Sequence, residues 1–375
     1  MAKHICFVGP DNYPVLSGTT STDYIGGESV QQTLLAKAFK ALGNDVTMIV
    51  RSSGNERREI IDGINVLRSY NGSEGFPVVR FAHPRLTSLF RALKSTNADI
   101  YYQSCAGMLT GATARYCRQN HKQFVFRVAH DTDCIPGKHL IRYWRDRKLY
   151  EYGLRRATLI AAQSHPQVDL LKGNYGLDSV LVSMVTEIPK QLPQGPRDID
   201  VLWVNNLRAF KRPERVLDLA ERLPSVNFTM IGGPCPGEES YYEKIRGRAG
   251  TIGNLRFLGP VPYAAVNQFF ERSKVFINTS ESEGFPNSFL QAWVRGVPVI
   301  SFVDPGGIIA ERNLGTAAAD MVDMSAAIAH LVADDEHRQE AGRRGRSYVT
   351  ETFAPQRVAE HYLCLLEARE NAPGG

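Results

Sequence analysis

Short runs of β-branched and aromatic residues alternate with stretches of helical periodicity along the chain. His4–Val8, Val46–Val50, Asp99–Gln103, Phe124–Val128 and Leu159–Gln163 are largely apolar runs, the pattern of strands buried in a sheet. Between the first two, Val30, Leu34, Ala38 and Leu42 fall on one stripe, joined by Leu35 and Phe39. That spacing predicts a helix over Ser29–Leu42, with Gly43 where a terminating glycine belongs. Strand, helix and a tight return to a second strand form a βαβ unit, hence a parallel sheet.

The alternation pauses at Thr186–Ile199, where three prolines and a glycine read as a linker. A second series follows. Strands are expected at Val201–Asn205, Asn227–Ile231, Arg256–Leu258, Lys274–Asn278 and Val297–Ser301. Helices are expected at Pro213–Leu223, Tyr241–Arg248, Tyr263–Arg272 and Ser288–Arg295. The pattern predicts two α/β domains, 1–190 and 199–353, with a last helix near 354–375 returning to the first. Paired open sheets bind ligands at the carboxyl ends of their strands, in a crevice.

Composition narrows the class without naming it. The 375 residues suit two domains, and 43% hydrophobic with 22% charged residues is ordinary for a protein that buries a large core. Disordered, collagen-like and coiled-coil chains are excluded. No apolar run has the ~18 residues of a membrane helix, and the N-terminal segment reads as a first strand rather than a signal peptide. The net charge of +5 does not mark a nucleic-acid binder but suits an anionic small substrate or docking on an acidic membrane face. Cys6, Cys105, Cys117, Cys134, Cys235 and Cys364 form no C-x-x-C pair and read as reduced thiols of a cytoplasmic protein.

The most informative stretch is Asn278–Ser301, NTSESEGFPNSFLQAWVRGVPVIS. A strand ends near Asn278, Gly284-Phe285-Pro286 makes a turn, and a helix starts near Ser288. Free N–H groups at a helix start favour an anion. Glu283 in the loop and Gln291 one turn into the helix can face one crevice, while Ser288 and Gln291 also spell a purely local capping box. The block Glu283-Gly284-Phe285-Pro286-Asn287-Ser288-Phe289-Leu290-Gln291-Ala292, followed by Gly296-Val297-Pro298-Val299-Ile300, resembles the hallmark of the family 4 glycosyltransferases. That hallmark is two glutamates separated by seven residues, and here Gln291 replaces the second. An amide keeps an acceptor oxygen for a ribose hydroxyl but gives up the charge.

Three further pieces fit the resemblance in order along the chain. In Trp203–Pro213, WVNNLRAFKRP, Lys211 matches the family lysine that grips a diphosphate; Asn206 stands at the matching arginine position, and Arg208 is a substitute two residues on. The alternative reading makes Lys211, Arg212 and Arg215 a solvated helix face. Gly26 and Gly27 open the first helix and let backbone N–H groups approach a ligand. His130 ends a strand, where the family places a histidine against the transferred sugar. Its imidazole can donate to a hydroxyl or stabilise positive charge on the ring.

Two other features need weighing. Asp131-Thr132-Asp133 is a D-x-D, a metal motif of a different, single-domain glycosyltransferase fold; the two-domain layout and Lys211 argue against metal binding. Pro136–Ala157 holds seven cations and two acids with Tyr143, Trp144, Leu149, Tyr150 and Tyr152 interleaved. It reads as a basic, aromatic helix lying on anionic lipid or an anionic acceptor, or else as a helix packing its aromatics inward. G-x-G-x-x-G, P-loop, G-x-S-x-G and H-E-x-x-H motifs are absent.

The resemblance implies a GT-B fold, two Rossmann-like doubly wound domains facing across a cleft. It implies retaining transfer of a sugar from a nucleoside diphosphate sugar to a glycan or glycolipid hydroxyl in bacterial polysaccharide assembly. The donor, with UDP- and GDP-sugars foremost, is a co-substrate; no tightly bound cofactor, metal or nucleic acid is implied. Lys211, Arg208 and the turn to Ser288 face the diphosphate, Glu283 the sugar, Gln291 the ribose, and Val261 the base. The enzyme is expected in the cytoplasm, peripheral to the inner membrane face through 136–157. A nucleotide-sugar epimerase of the same fold and a catalytically silent sugar-nucleotide-binding subunit remain the alternatives, and a nicotinamide oxidoreductase lacks its glycine fingerprint.

Overall fold

The computed structural model describes residues 2–18, 26–52, 58–71, 81–192 and 195–370. The chain divides into two compact units. Within the described residues the first holds 2–17, 26–185 and 355–370, and the second is built on 186–192 and 195–354.

The first unit is a sheet flanked by helices. Its strands are β1 His4–Val8, β2 Asp45–Val50, β3 Arg58–Ile61, β4 Ile64–Arg68, β5 Ile100–Ser104, β6 Gln123–Arg127, β7 Leu159–Ala162 and β8 Val180–Leu181. Their order is β3-β4-β2-β1-β5-β6-β7-β8. All neighbours are parallel except the β3–β4 hairpin. Apolar runs identify the strands that are buried along their length. The hairpin escapes that signal because β3 alternates exposed and half-buried residues. Its trace in the sequence is Asp62-Gly63, both at positive φ, the dipeptide of a two-residue hairpin turn.

The helices of this unit are α1 Tyr13–Ser17, α2 Gly27–Ala41, α3 Thr87–Thr96, α4 Met108–Gln119, α5 Trp144–Leu154 and α6 His165–Tyr175. The last helix, Pro355–Glu370, packs Tyr362 between Phe39 of α2 and Tyr102 of β5, with ring centroids 6.3 and 5.8 Å away. The expected helix over 136–157 is corrected here. Only Trp144–Leu154 is helical, because Pro136-Gly137 starts an irregular segment in which Gly137 takes φ +79°.

Helices α4 and α5 meet backbone to backbone. A Cβ on Gly111 falls 2.3 Å from the Leu149 carbonyl oxygen, and one on Gly153 falls 2.5 Å from the Thr110 carbonyl. Gly111→Ala therefore forces the helices apart, and we expect a loss of about 1–3 kcal/mol in denaturant unfolding. An unchanged unfolding midpoint contradicts this packing.

The second unit is wholly parallel. Its strands are β9 Ile199–Val204, β10 Phe228–Ile231, β11 Leu255–Phe257, β12 Ser273–Asn278, β13 Val299–Ser301 and β14 Gly315–Ala317, in the order β11-β10-β9-β12-β13-β14. Strand β13 begins two residues later than expected, since Pro298 has no N–H for the ladder. The connecting helices are α7 Glu214–Arg222, α8 Glu239–Ala249, α9 Tyr263–Glu271, α10 Asn287–Trp293, α11 Ile308–Glu311, α12 Met321–Ala333 and α13 Asp335–Thr352. The apolar stripe of α7, Val216, Leu217, Leu219 and Ala220, is fully buried in a core shared with Trp203, Met230, Val275 and Ile300.

Strand order reverses direction at β1–β5 in the first unit and at β9–β12 in the second. Loops leaving the carboxyl ends of two such strands diverge to opposite faces and leave a hollow between them. In the second unit the loops that carry Lys211 and Glu283 leave from there.

Candidate active site

In the second unit the loop after β9 carries Lys211 and the loop after β12 carries Glu283. Seventy-two residues apart in sequence, their side chains meet with Lys211 Nζ 2.5 Å from Glu283 Oε1. Both are largely shielded, with 14% and 10% of the side chains exposed. A charge pair so enclosed is held by more than its own attraction.

The neighbours explain how. Ser280 Oγ donates to Glu283 Oε1 at 2.6 Å, and Asn278 Nδ2 lies 3.4 Å from the same oxygen. Asn278 Oδ1 in turn accepts the Ser280 N–H at 2.8 Å. Thr279 Oγ1 donates to the Lys211 carbonyl at 2.9 Å and is backed by Trp203 Nε1 at 3.0 Å. Asn278, Thr279 and Ser280 are all buried. The lysine loop is closed from its other side by the Glu281 N–H, which donates to the Phe210 carbonyl at 2.9 Å. Lys211 itself ends the short 3-10 turn Ala209–Lys211, and Arg212 turns the chain into α7 at φ +51°. The alternative of a solvated basic face fits Arg212, whose side chain is 38% exposed, but not Lys211.

Arg208 caps the start of that turn, with its Nε 3.2 Å from Cys235 Sγ on the loop after β10. Gly284, Phe285 and Pro286 lead into α10, Pro286 caps it in an extended conformation, and Asn287 and Ser288 form its first turn. Ser288 lies inside the helix and no side chain caps α10, so the Ser288–Gln291 capping box does not form. Phe285 anchors the turn, 5.3 Å from Phe353 and 6.4 Å from Trp293 between ring centroids. Gln291 is nearly buried and donates its amide to Asn267 Oδ1 of α9 at 3.0 Å. Val261 is half-buried in the loop that enters α9. Glu283, Lys211 and the turn to α10 thus gather at the carboxyl ends of the two central strands, β9 and β12.

In the first unit Gly26 is the extended cap of α2 and Gly27 its first residue. Ile25, before them, lies outside the described residues. Gln163 ties this opening to the end of β6. Its amide donates to Glu28 Oε1 at 3.2 Å and to the Val128 carbonyl at 2.7 Å, two residues before His130. His130 is exposed. Asp133 is buried and turned back on the chain, where its Oδ2 accepts the N–H groups of His130 at 3.1 Å and Ala129 at 3.3 Å. Burial raises its carboxyl above the ordinary range, opposed by the His130 charge and these N–H groups. Asp131 Oδ1 accepts from Gln167 Nε2 at 2.9 Å. The D-x-D acids thus each have a structural partner, and no group of three potential metal-ligating side chains occurs among the described residues.

Sequence reasoning passed over Asn278, Ser280, Glu28 and Gln163. The signal for the first two was present: polar Asn-Thr-Ser directly after the apolar Val275-Phe276-Ile277 is costly to bury without a task. Glu28 and Gln163 meet only in three dimensions.

Comparison with known proteins gives the family and the fold. The family model described as Glycosyltransferase Family 4 matches residues 25–185, and the one described as Glycosyl transferases group 1 matches residues 184–348. The lipopolysaccharide core biosynthesis glycosyltransferase LpsE of Rhizobium meliloti is 27% identical over 163 residues, 41% of this chain and 45% of that protein. The chain spans about half the length of the curated relatives it matches. Among solved structures, sucrose-phosphate synthase from Thermosynechococcus elongatus has TM-score 0.79 at 16% identity, covering 99% of this chain and 100% of that one. Anabaena HepE in complex with UDP and glucose has TM-score 0.75 at 15% identity, covering 98% and 100%.

Proposed function

Because the chain belongs to the family 4, group 1 glycosyltransferases and has their GT-B fold, we propose that it moves a sugar from a nucleoside diphosphate sugar to a glycan or glycolipid hydroxyl, with retention at the anomeric carbon. The observation that carries this reading is the enclosed Lys211–Glu283 pair at the strand-order reversal of the second unit. An ammonium and a carboxylate side by side suit the two ends of such a donor. Lys211 faces the diphosphate and offsets the negative charge that grows as the bond to the sugar breaks. Glu283 accepts hydroxyls of the sugar.

The pair is set before the donor arrives. Ser280 and Asn278 fix the carboxylate, so little reorganisation is needed at the moment of reaction. In the first unit, Gly26, Gly27 and His130 are assigned to the acceptor side of the reaction, with the opening of α2 and the end of β6 tied by Gln163. Arg208 and the turn at Gly284–Ser288 add to the diphosphate site, while Val261 borders the base and Gln291 the ribose. UDP is bound by HepE, which puts UDP-sugars first for test and GDP-sugars next. Lipopolysaccharide core synthesis, the role of LpsE, makes bacterial surface polysaccharide the first acceptor class. The same reading places the enzyme in the cytoplasm, where thiols stay reduced; all six cysteines are free.

The test is a melting screen against UDP-, GDP-, ADP- and TDP-sugars, followed by transfer assays with the best binder. A donor at ~100 times its Kd stabilises the folded state by about 2.7 kcal/mol, a shift of several degrees. No shift with any nucleotide sugar rejects the donor site.

Gln291 gives a separate prediction. Its amide already meets Asn267, whose own amide reverses at little cost to face a carboxylate. Gln291→Glu should therefore fold normally and bind donor at least as tightly as the parent. A tenfold or greater loss in calorimetric affinity, about 1.4 kcal/mol, shows that the pocket is built around the amide.

A further inference from the structure

The segment before α5 holds large apolar side chains out in solvent on a rigid mount. Leu140 is 78% exposed, Trp144 77% and Tyr143 48%. His139 and Ile141, on either side of Leu140, are buried. His139 Nε2 lies 2.7 Å from the Tyr175 hydroxyl and its ring meets Tyr150 edge-on at 5.0 Å, while the Ile141 carbonyl accepts Arg147 Nε at 2.8 Å. The alternation of buried anchor and exposed apolar residue leaves this corner little freedom to fold its side chains away. Indole, phenol and a leucine held out together have no core to serve.

The charge around them has one sign. Lys138, Arg142 and Lys148 are exposed, and Arg145 stands over the Phe81 ring at 3.8 Å. The two acids in 136–157 are partnered, Asp146 by Arg145 and Glu151 by Lys148. Beside α5 runs an open groove of about 710 Å³ whose walls include Leu86, Phe90, Leu149 and Tyr152, with exposed Arg115 and Arg118 on its rim. Apolar side chains ringed by cations match the boundary layer of an anionic bilayer, where aromatic rings seat at headgroup level. No helix among the described residues is long and apolar enough to cross a membrane, so attachment by this face is to the surface.

We infer that the first unit docks on an anionic lipid bilayer through Leu140, Tyr143 and Trp144, held there by Lys138, Arg142 and the neighbouring cations. The interaction does not depend on the donor site, which lies in the second unit. Each cation near such a surface changes the partition constant by about fivefold.

The chain supplies its own probe. Of its three tryptophans, Trp203 and Trp293 are fully buried, so Trp144 alone answers to the surroundings. With vesicles of about one-third phosphatidylglycerol, the protein should sediment and Trp144 emission should move to the blue and resist iodide quenching. Phosphatidylcholine vesicles should do neither, and ~0.5 M salt should reverse both effects. Lys138→Glu with Arg142→Glu, and separately Tyr143→Ser with Trp144→Ser, should each lower sedimentation at least ~10-fold. Both variants should keep the parent's nucleotide-induced melting shift, which separates this face from the donor site. Equal sedimentation with neutral lipid, none with anionic lipid, or Trp144 still open to iodide on pelleted protein overturns the inference.

Discussion

Lys211→Ala should lower sugar transfer by at least ~10²-fold, the scale on which a positioned charge at the reacting centre is felt. The loss has two parts. The leaving diphosphate loses a cation, and the Glu283 carboxylate loses the partner 2.5 Å away. Ser280 and Asn278 still donate to that carboxylate, so the fold should survive. A melting point lowered by no more than ~4–8 °C corresponds to about 2 kcal/mol, well short of the full penalty for a stranded buried charge. Steady-state kinetics beside a thermal melt checks both halves. Parent-like turnover removes Lys211 from the site, and a collapse of the fold makes the pair a structural one.

Glu283→Gln should be as damaging to transfer and quite different in binding. The substitution keeps the shape and one acceptor oxygen but removes the charge facing both Lys211 and the sugar. Hydrogen bonds to a charged group contribute about 1.5–3 kcal/mol, so contact with the sugar hydroxyls should weaken by ten- to a hundredfold. Lys211, released from its counter-charge, remains free to meet a diphosphate, and the affinity for the nucleotide alone should hold or rise. Equal loss of affinity for nucleotide and nucleotide sugar contradicts the assignment of Glu283 to the sugar.

The sequence was most legible where one physical constraint acts alone. Strands buried along their length must be apolar, so β1, β5, β6, β9 and β12 stand out as runs. Strand β3 is half in solvent and lacks that mark. Glu283 and Lys211 were readable because the residues around them follow a family spacing. Their contact was not, since it follows from β9 and β12 lying side by side, which sequence order does not state. The supporting Asn278 and Ser280 merge with the strand they end. The segment 136–143 was misread because its basic and aromatic residues have a helix-like composition, while the Gly137 turn and the buried His139 hold it irregular.

The central claim is that Lys211 and Glu283 divide one donor between them, diphosphate to the lysine and sugar to the acid. Calorimetric titration of the best nucleoside diphosphate, with and without its sugar, into parent, Lys211→Ala and Glu283→Gln tests it most directly. The account predicts that Lys211→Ala weakens both ligands about equally, by tenfold or more, and that Glu283→Gln weakens only the sugar-bearing one. The same loss for both ligands in both variants, or none in either, contradicts it.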